Sequence, residues 1–221
     1  QANVTSVGTL TGLTVSADAT VNSVTVGKGA NSVDGNTAVG QNALDAATTG
    51  DVNVAVGKNS LTDLTTGASN VAVGKDAAAN ITTGDSNTAI GQGALTTQTT
   101  VSNNTAVGKS ALTANTTGYN NASVGAFSLL SNTTGGFNTA VGKDALAANT
   151  TASNNTAVGT DALTSNVTGN DNTAVGKEAL ALNTGGSNTA VGNETLESNT
   201  TGSSNTAVGA LALDANTTAS N

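Results

Sequence analysis

Residues 104–120 read N-T-A-V-G-K-S-A-L-T-A-N-T-T-G-Y-N, and near copies of this 17-residue stretch fill most of the chain. Nine of the ten steps between successive copies are 17 residues long, and the step from Asn172 to Asn188 is 16. A short period sustained over residues 36–221 predicts a repeat architecture in which each unit packs on its neighbours. The eleven copies of the N-T-A-V-G motif, or a close variant, begin at Asn36, Asn53, Asn70, Asn87, Asn104, Asn121, Asn138, Asn155, Asn172, Asn188 and Asn205.

Each position of the unit has its own character, and we number the positions from the motif Asn, which is position 1. Position 3 is Ala in ten of the eleven units, and position 5 is Gly in all of them. Position 4 is Val or Ile90, position 8 is small, position 9 is Leu in ten units, and positions 12–15 read N-T-T-G or a close variant. The fixed Gly and the N-T-T-G run interrupt any helix, and isolated helices shorter than about 12 residues are marginal.

The unit therefore predicts one coil of an all-β fold, a parallel β-solenoid with 17 residues per coil. We expect a short strand at positions 2–4, a glycine turn, a second short strand at positions 7–10 and a polar return loop. Gly at position 5 suits a positive φ. Asn at positions 1 and 12 would stack into amide ladders, as identical side chains do in cross-β structures. The predicted turn glycines are Gly40, Gly57, Gly74, Gly91, Gly108, Gly125, Gly142, Gly159, Gly176, Gly192 and Gly209.

The alanines at position 3 bear on the oligomeric state. Neighbouring side chains in a strand point to opposite faces, so positions 3 and 4 lie on different sides. If Val and Leu form the core, the Ala methyl groups form a stripe on the opposite, outer face. Such a stripe predicts close contact with other copies of the chain, and we expect a homotrimer. The alternative is a lone solenoid in which Ala is a tolerated small residue. The predicted chain-interface residues are Ala38, Ala55, Ala72, Ala89, Ala106, Ala140, Ala157, Ala174, Ala190 and Ala207.

The first 35 residues lack the 17-residue register. We expect a strand-rich lead-in over residues 1–21, a short first coil over residues 22–35 and the eleven-coil array over residues 36–221. The chain begins with Gln1 and contains no Met, so we expect it to be a processed product or a piece of something longer.

The composition argues against several classes of site. The chain has no His, Cys, Met, Trp or Pro, and only 9% of its residues are charged. Without imidazole or thiol groups, the usual zinc sites and the commonest acid–base and nucleophilic groups are missing. A net charge of −8 without a basic stripe argues against a nucleic-acid partner. No apolar run approaches the roughly 20 residues of a membrane span. We expect no catalytic activity, cofactor, metal site or membrane insertion.

A few features remain as candidates for function. Lys at position 6 and Asp or Glu at position 7 predict a solvated charged surface rather than a catalytic pair. The N-T-T loops contain N-x-T sequons, which turn chemistry explains without glycans. Ice binding by threonine ladders is disfavoured because the paired loop threonines point to opposite faces. The three aromatic residues fall in neighbouring units and form a candidate local contact patch, or else fill space between coils: Tyr119, Phe127 and Phe137.

Residues 24–40, V-T-V-G-K-G-A-N-S-V-D-G-N-T-A-V-G, resemble the head repeat of trimeric autotransporter adhesins. V-A-V-G at 54–57 and at 71–74 is similar to the core strand of that repeat. The longer unit, the frequent Thr at position 2 and the added N-T-T-G loop depart from it and look more like the repetitive shafts of phage tail fibres. The resemblance implies a left-handed β-roll that assembles as a trimer and serves as an adhesive head or spacer.

These observations together predict a structural fibre or spacer segment of a phage tail fibre, located outside the cell or on the virion surface. The alternative is the head or stalk of a bacterial surface adhesin that binds a host surface or glycan. A cell-surface receptor or glycan would be contacted through regions outside this chain. An ice-binding solenoid is a minor alternative.

Overall fold

A computed structural model describes residues 18–21, 24–47 and 49–220 of the chain. The thirteen strands in this part form one sheet, in which each strand lies beside its neighbours in sequence. A short 3-10 helix, Ala30–Ser32, follows the second strand. The strands are β1 (Ala19–Val21), β2 (Val24–Gly27), β3 (Thr37–Gly40), β4 (Val54–Val56), β5 (Val71–Val73), β6 (Thr88–Ile90), β7 (Thr105–Val107), β8 (Ala122–Val124), β9 (Thr139–Val141), β10 (Thr156–Val158), β11 (Thr173–Val175), β12 (Thr189–Val191) and β13 (Thr206–Val208).

Strands β3–β13 stack into the solenoid. Each pairs in parallel with the next, so that Ala140 of β9 lies opposite Ala157 of β10, one 17-residue unit later. The 16-residue unit keeps this register, with Thr173 of β11 opposite Thr189 of β12. The prediction of an all-β, parallel β-solenoid with about 17 residues per turn is confirmed, and the stack has about ten turns.

The strand immediately before the array, β2, runs in the opposite direction to the coils. Strand β2 pairs antiparallel with both β1 and β3, and Val26 lies opposite Val39. The carboxylate of Asp18 accepts hydrogen bonds from the backbone N–H groups of Lys28 and Gly29 at 2.7 and 2.8 Å. The described part of the expected short first coil, residues 24–35, thus begins with a strand antiparallel to the coils, and its Ala30 N–H donates to the carbonyl of Leu44 in the coil that follows. The expected lead-in over residues 1–21 lies outside the described residues, except for residues 18–21.

The core contains the alanines of position 3 and the leucines of position 9. In the seventh coil, Ala140, Ala145 and Leu146 have no exposed surface and belong to one buried cluster, whereas Val141 is 38% exposed. This corrects the expectation that Val and Leu form the core and that Ala faces outward. Interiors pack at crystal-like density. A column of fully buried Leu leaves space for only a methyl group on the inner side of the facing strand, so the larger Val lies outside.

Positions 7–10 form turns rather than the expected second strand. In the seventh coil, Asp144 and Leu146 have φ of 56° and 52°, which lie in the left-handed region. These two positions change the direction of the backbone, so that Ala145 and Leu146 are buried although they are adjacent in sequence. The coils are still bonded to each other here, because the N–H of Leu146 donates to the carbonyl of Ala162 at 3.0 Å.

The turn at position 5 depends on glycine for two reasons. The eleven glycines have φ between 123° and 145°, which L side chains rarely adopt. They also touch the next coil directly, since a Cβ added to Gly142 would lie 2.3 Å from the carbonyl oxygen of Gly159. Successive turns therefore stack backbone against backbone.

A buried asparagine ladder runs along the whole array at position 1 and confirms that prediction, whereas the ladder at position 12 is limited to coils five to seven and nine to eleven because coils one to three have Ala47, Leu64 and Ile81 there. At position 1, the Oδ1 of Asn138 accepts from the backbone N–H of Asn155 at 3.0 Å and from its Nδ2 at 3.3 Å. The Nδ2 of Asn138 donates to the carbonyl of Ala152 at 2.8 Å, which ties the return loop to the strand. At position 12, the Nδ2 of Asn149 donates to the Oδ1 of Asn132 at 2.7 Å.

Departures from the consensus are accommodated locally. Ser123 replaces the buried Ala of position 3, and its hydroxyl donates to the carbonyl of Ser128 at 2.9 Å within the same coil. Gln98 replaces Asn at position 12, and its Oε1 accepts from the Nδ2 of Asn115 at 2.9 Å. The position-12 ladder is interrupted just before the 16-residue coil, where Asn166 Oδ1 has no hydrogen-bond partner among the described residues.

Candidate interaction surfaces

The outer face of strands β3–β13 carries positions 2 and 4, which we call the Thr/Val face. Position 2 is Thr in eight coils and Val or Ala in three, and position 4 is Val or Ile in all eleven. None of these 22 positions is charged. The position-4 side chains are at least partly exposed in every coil, with intermediate exposure in coils one to three and five, 36% at Val158, 40% at Ile90 and 70% at Val208 in the last coil. The solenoid thus presents a continuous apolar stripe along its length.

The sequence interpretation missed this face because it placed the wrong side of the strand outside. The alternation of small and large residues shows that positions 3 and 4 lie on opposite faces, but it does not show which face is inside. The useful signal was the absence of charge from both positions 2 and 4. The ten predicted chain-interface alanines are between 0% and 5% exposed within a single chain, so they are not available to contact another chain.

A row of charged side chains follows the Thr/Val face at positions 6 and 7. Lys75 lies 3.3 Å from Asp76, and Lys143 pairs with Asp144 in the same way. The pKa of Asp76 is lowered, chiefly because the Nδ2 of Asn59 donates a hydrogen bond to its carboxylate at 2.8 Å. The hydrogen bond to Asp144 raises the pKa of Lys143. These partly exposed pairs contribute little to stability, and they place charge of both signs along one edge of the face.

The aromatic residues are divided between two places. The rings of Tyr119 and Phe137 meet edge to face with their centroids 5.1 Å apart, and the residues are 48% and 52% exposed. Gly136 lies beneath the Tyr119 ring, since a Cβ there would come within 3.6 Å of it. Phe127 lies at position 7, where the Nζ of Lys109 is 5.6 Å from its ring centroid. The structure therefore brings Tyr119 and Phe137 together as an exposed pair and gives Phe127 a separate contact.

The sequons of the N-T-T loops are mostly closed to modification. A glycan would attach to Nδ2 of the asparagine. In the position-12 residues this atom donates to a carbonyl inside the coil, as Asn132 does to Gly135 at 3.0 Å. The fully buried sequon asparagines are Asn115, Asn132, Asn149 and Asn199. These residues act as structural bridges in the folded chain.

An open groove of about 400 Å³ lies along coils two to four. Its lining is mostly polar and includes two carboxylates, Asp63 and Asp76, of which Asp76 is hydrogen-bonded to Asn59. Among the described residues, no group of three or more carboxylates is placed to hold a metal ion. In the same part of the chain, no helix has the length and apolar character needed to span a membrane.

The geometry thus offers two exposed features that stand apart from the polar surface, the Thr/Val face and the Tyr119–Phe137 pair.

Comparison with known proteins finds no family model, no curated protein and no solved structure that matches the chain. The similarity to adhesin heads and tail fibres therefore stays a prediction.

Proposed function

We propose that this chain is a structural rod, a spacer segment of a phage tail fibre in which three copies lie side by side as left-handed coils. The observation that carries the proposal is the constancy of the interior. Most coils bury the same small set of side chains, and every coil bonds to the next through the same position-1 Asn atoms, while the outer loops vary. Such an interior supports length and stiffness rather than chemistry, and the rod has no catalytic role.

The dimensions suit a spacer. Eleven coils at about 4.8 Å each give a stack roughly 50 Å long. Repeat proteins of this kind gain stability from each neighbouring interface, so units can be added or removed without a new fold. The proposed location is the virion surface or another extracellular setting, where a rod without thiols depends on no redox state.

Two measurements test this function. Diffraction from aligned fibres should show an axial repeat near 4.8 Å. Aligned fibres without that repeat would refute the rod. Antibodies against the array should label tail fibres of purified virions; labelling confined to bacterial cell surfaces would instead support the adhesin alternative.

The adhesin alternative is favoured by one observation, the exposed Tyr119–Phe137 pair. Sugars stack on exposed aromatic rings, and this pair interrupts a surface of amides and hydroxyls. A glycan array probed with the purified chain and with Tyr119→Ala tests this reading. Binding that is lost in the variant supports an adhesin head, and no binding leaves the rod as the better proposal.

A further inference from the structure

Within the part of the chain that the structure describes, no segment covers the Thr/Val face. Eleven strands of three residues, spaced about 4.8 Å apart and rising about 3.3 Å per residue, give it an area of ~500 Å², whose apolar part is the position-4 column together with the methyl groups of the position-2 Thr. Contiguous apolar patches beyond a few hundred Å² on soluble proteins mark interaction sites. Single exposed valines scattered over a surface are ordinary, but an apolar face of this size is expected to have a binding partner.

The spacing of the face indicates what fits it. Because the strands are in parallel register, a β-branched apolar side chain recurs at position 4 every ~4.8 Å along the whole axis. A surface with another spacing would fall out of step with these side chains after a few coils. A second copy of the chain repeats the same spacing over its full length, and identical stacked side chains interdigitate closely when two such sheets face each other.

Area and charge agree with that occupant. Two copies meeting through this face would bury about 1,000 Å² in total, the size at which specific interfaces begin. The chain carries a net charge of −8, which opposes association, but positions 2 and 4 hold none of that charge. Along the edge, Lys177 is paired with Glu178 at 2.7 Å, so the nearest charges are partly neutralised within each copy.

We propose that the Thr/Val face is the surface through which copies of this chain associate, with the position-4 side chains of one copy packed against those of the next. This inference rests on the proposed fibre role and names the contact that would hold its chains together. It assigns to Val the role that the sequence interpretation gave to Ala.

Light scattering across a dilution series tests the proposal. The chain has a mass of 21.0 kDa, and we expect the wild type to give two or three times that value. A variant with Val124→Lys, Val141→Lys and Val158→Lys should fall to 21.0 kDa, because these side chains are 36–38% exposed on the face. The matched control places Lys in the same three coils at exposed loop residues, Thr134, Thr151 and Thr168, and should keep the wild-type mass.

A second variant guards against misfolding. Replacing the same three valines by Thr keeps the β-branched shape and should weaken association while circular dichroism stays that of the wild type. A wild type of 21.0 kDa at every concentration, or a Lys variant that is folded and keeps the wild-type mass, would overturn the proposal. A monomer that also slows ice growth would overturn it in favour of ice as the occupant. A monomeric rod in scattering would refute the contact but leave the rod intact.

Discussion

Replacing Leu129 by Ala removes a side chain from the middle of the solenoid. Leu129 occupies position 9 of the sixth coil, has no exposed surface and has five coils on either side. The substitution takes three carbons out of the core, and at about 0.8 kcal/mol per buried carbon the transfer contribution is ~2.4 kcal/mol. The cavity adds to this loss, so we expect the free energy of unfolding to fall by about 3–5 kcal/mol.

The same substitution at Leu213 is the matched control. Leu213 occupies position 9 of the last coil, where no described coil covers it, and it is 54% exposed. With about half of the transfer contribution and no enclosed cavity, its loss should be ~1 kcal/mol. Urea denaturation followed by circular dichroism measures both values, and hydrogen exchange locates the opening, which should spread from the sixth coil in the Leu129 variant. Equal losses at the two sites would refute the reasoning that stacking is what buries these leucines.

Three further substitutions probe the ladder, the turn and the charged edge. Asn138→Ala leaves the backbone amide of Asn155 without its buried acceptor. Hydrogen exchange of the Asn155 amide should speed up, and the free energy of unfolding should fall by about 2–4 kcal/mol. Unchanged exchange at Asn155 would contradict the ladder. Gly142→Ala should prevent native folding, seen as lost circular dichroism, whereas Gly93→Ala has its nearest contact at 3.7 Å and should cost about 1 kcal/mol or less. The pKa of Asp76 is lowered on folding, so the stability that this carboxylate contributes is present above pH ~4 and is lost as pH falls through its folded-state pKa. Asp76→Asn should therefore reduce the fall of Tm between neutral and acidic pH. An unchanged dependence of Tm on pH would refute this.

The repeat made the architecture predictable. The 17-residue spacing indicates a solenoid because no other arrangement places Asn on Asn and Gly on Gly eleven times. The strand at positions 2–4 and the buried amide ladders follow from the same register, since identical side chains in parallel strands must stack. The handedness of the solenoid and the number of chains that assemble do not follow from the strand register within one chain.

The orientation of the strand was not predictable because it is decided across the coil. Leu146 lies in the left-handed region, which a Leu rarely adopts, and propensity therefore favoured an extended strand at positions 7–10. With the true turn there, Leu146 and Ala145 both point inward and fill the space that Val141 would need. The position of the apolar face, and with it the candidate interaction surface, depends on that one local conformation.

The most direct test of the stacked coil uses the absence of cysteine from the chain. Thr134 and Thr151 occupy the same exposed loop position in neighbouring coils, so their Cα atoms should lie ~4.8 Å apart, within the range that a disulfide spans. The double variant Thr134→Cys, Thr151→Cys should form an intramolecular disulfide under mild oxidation, measured by mass spectrometry. The pair Thr134→Cys, Thr168→Cys, two coils and about 10 Å apart, should remain reduced. Free thiols in the first pair, or efficient bridging in the second, would contradict the 17-residue stack.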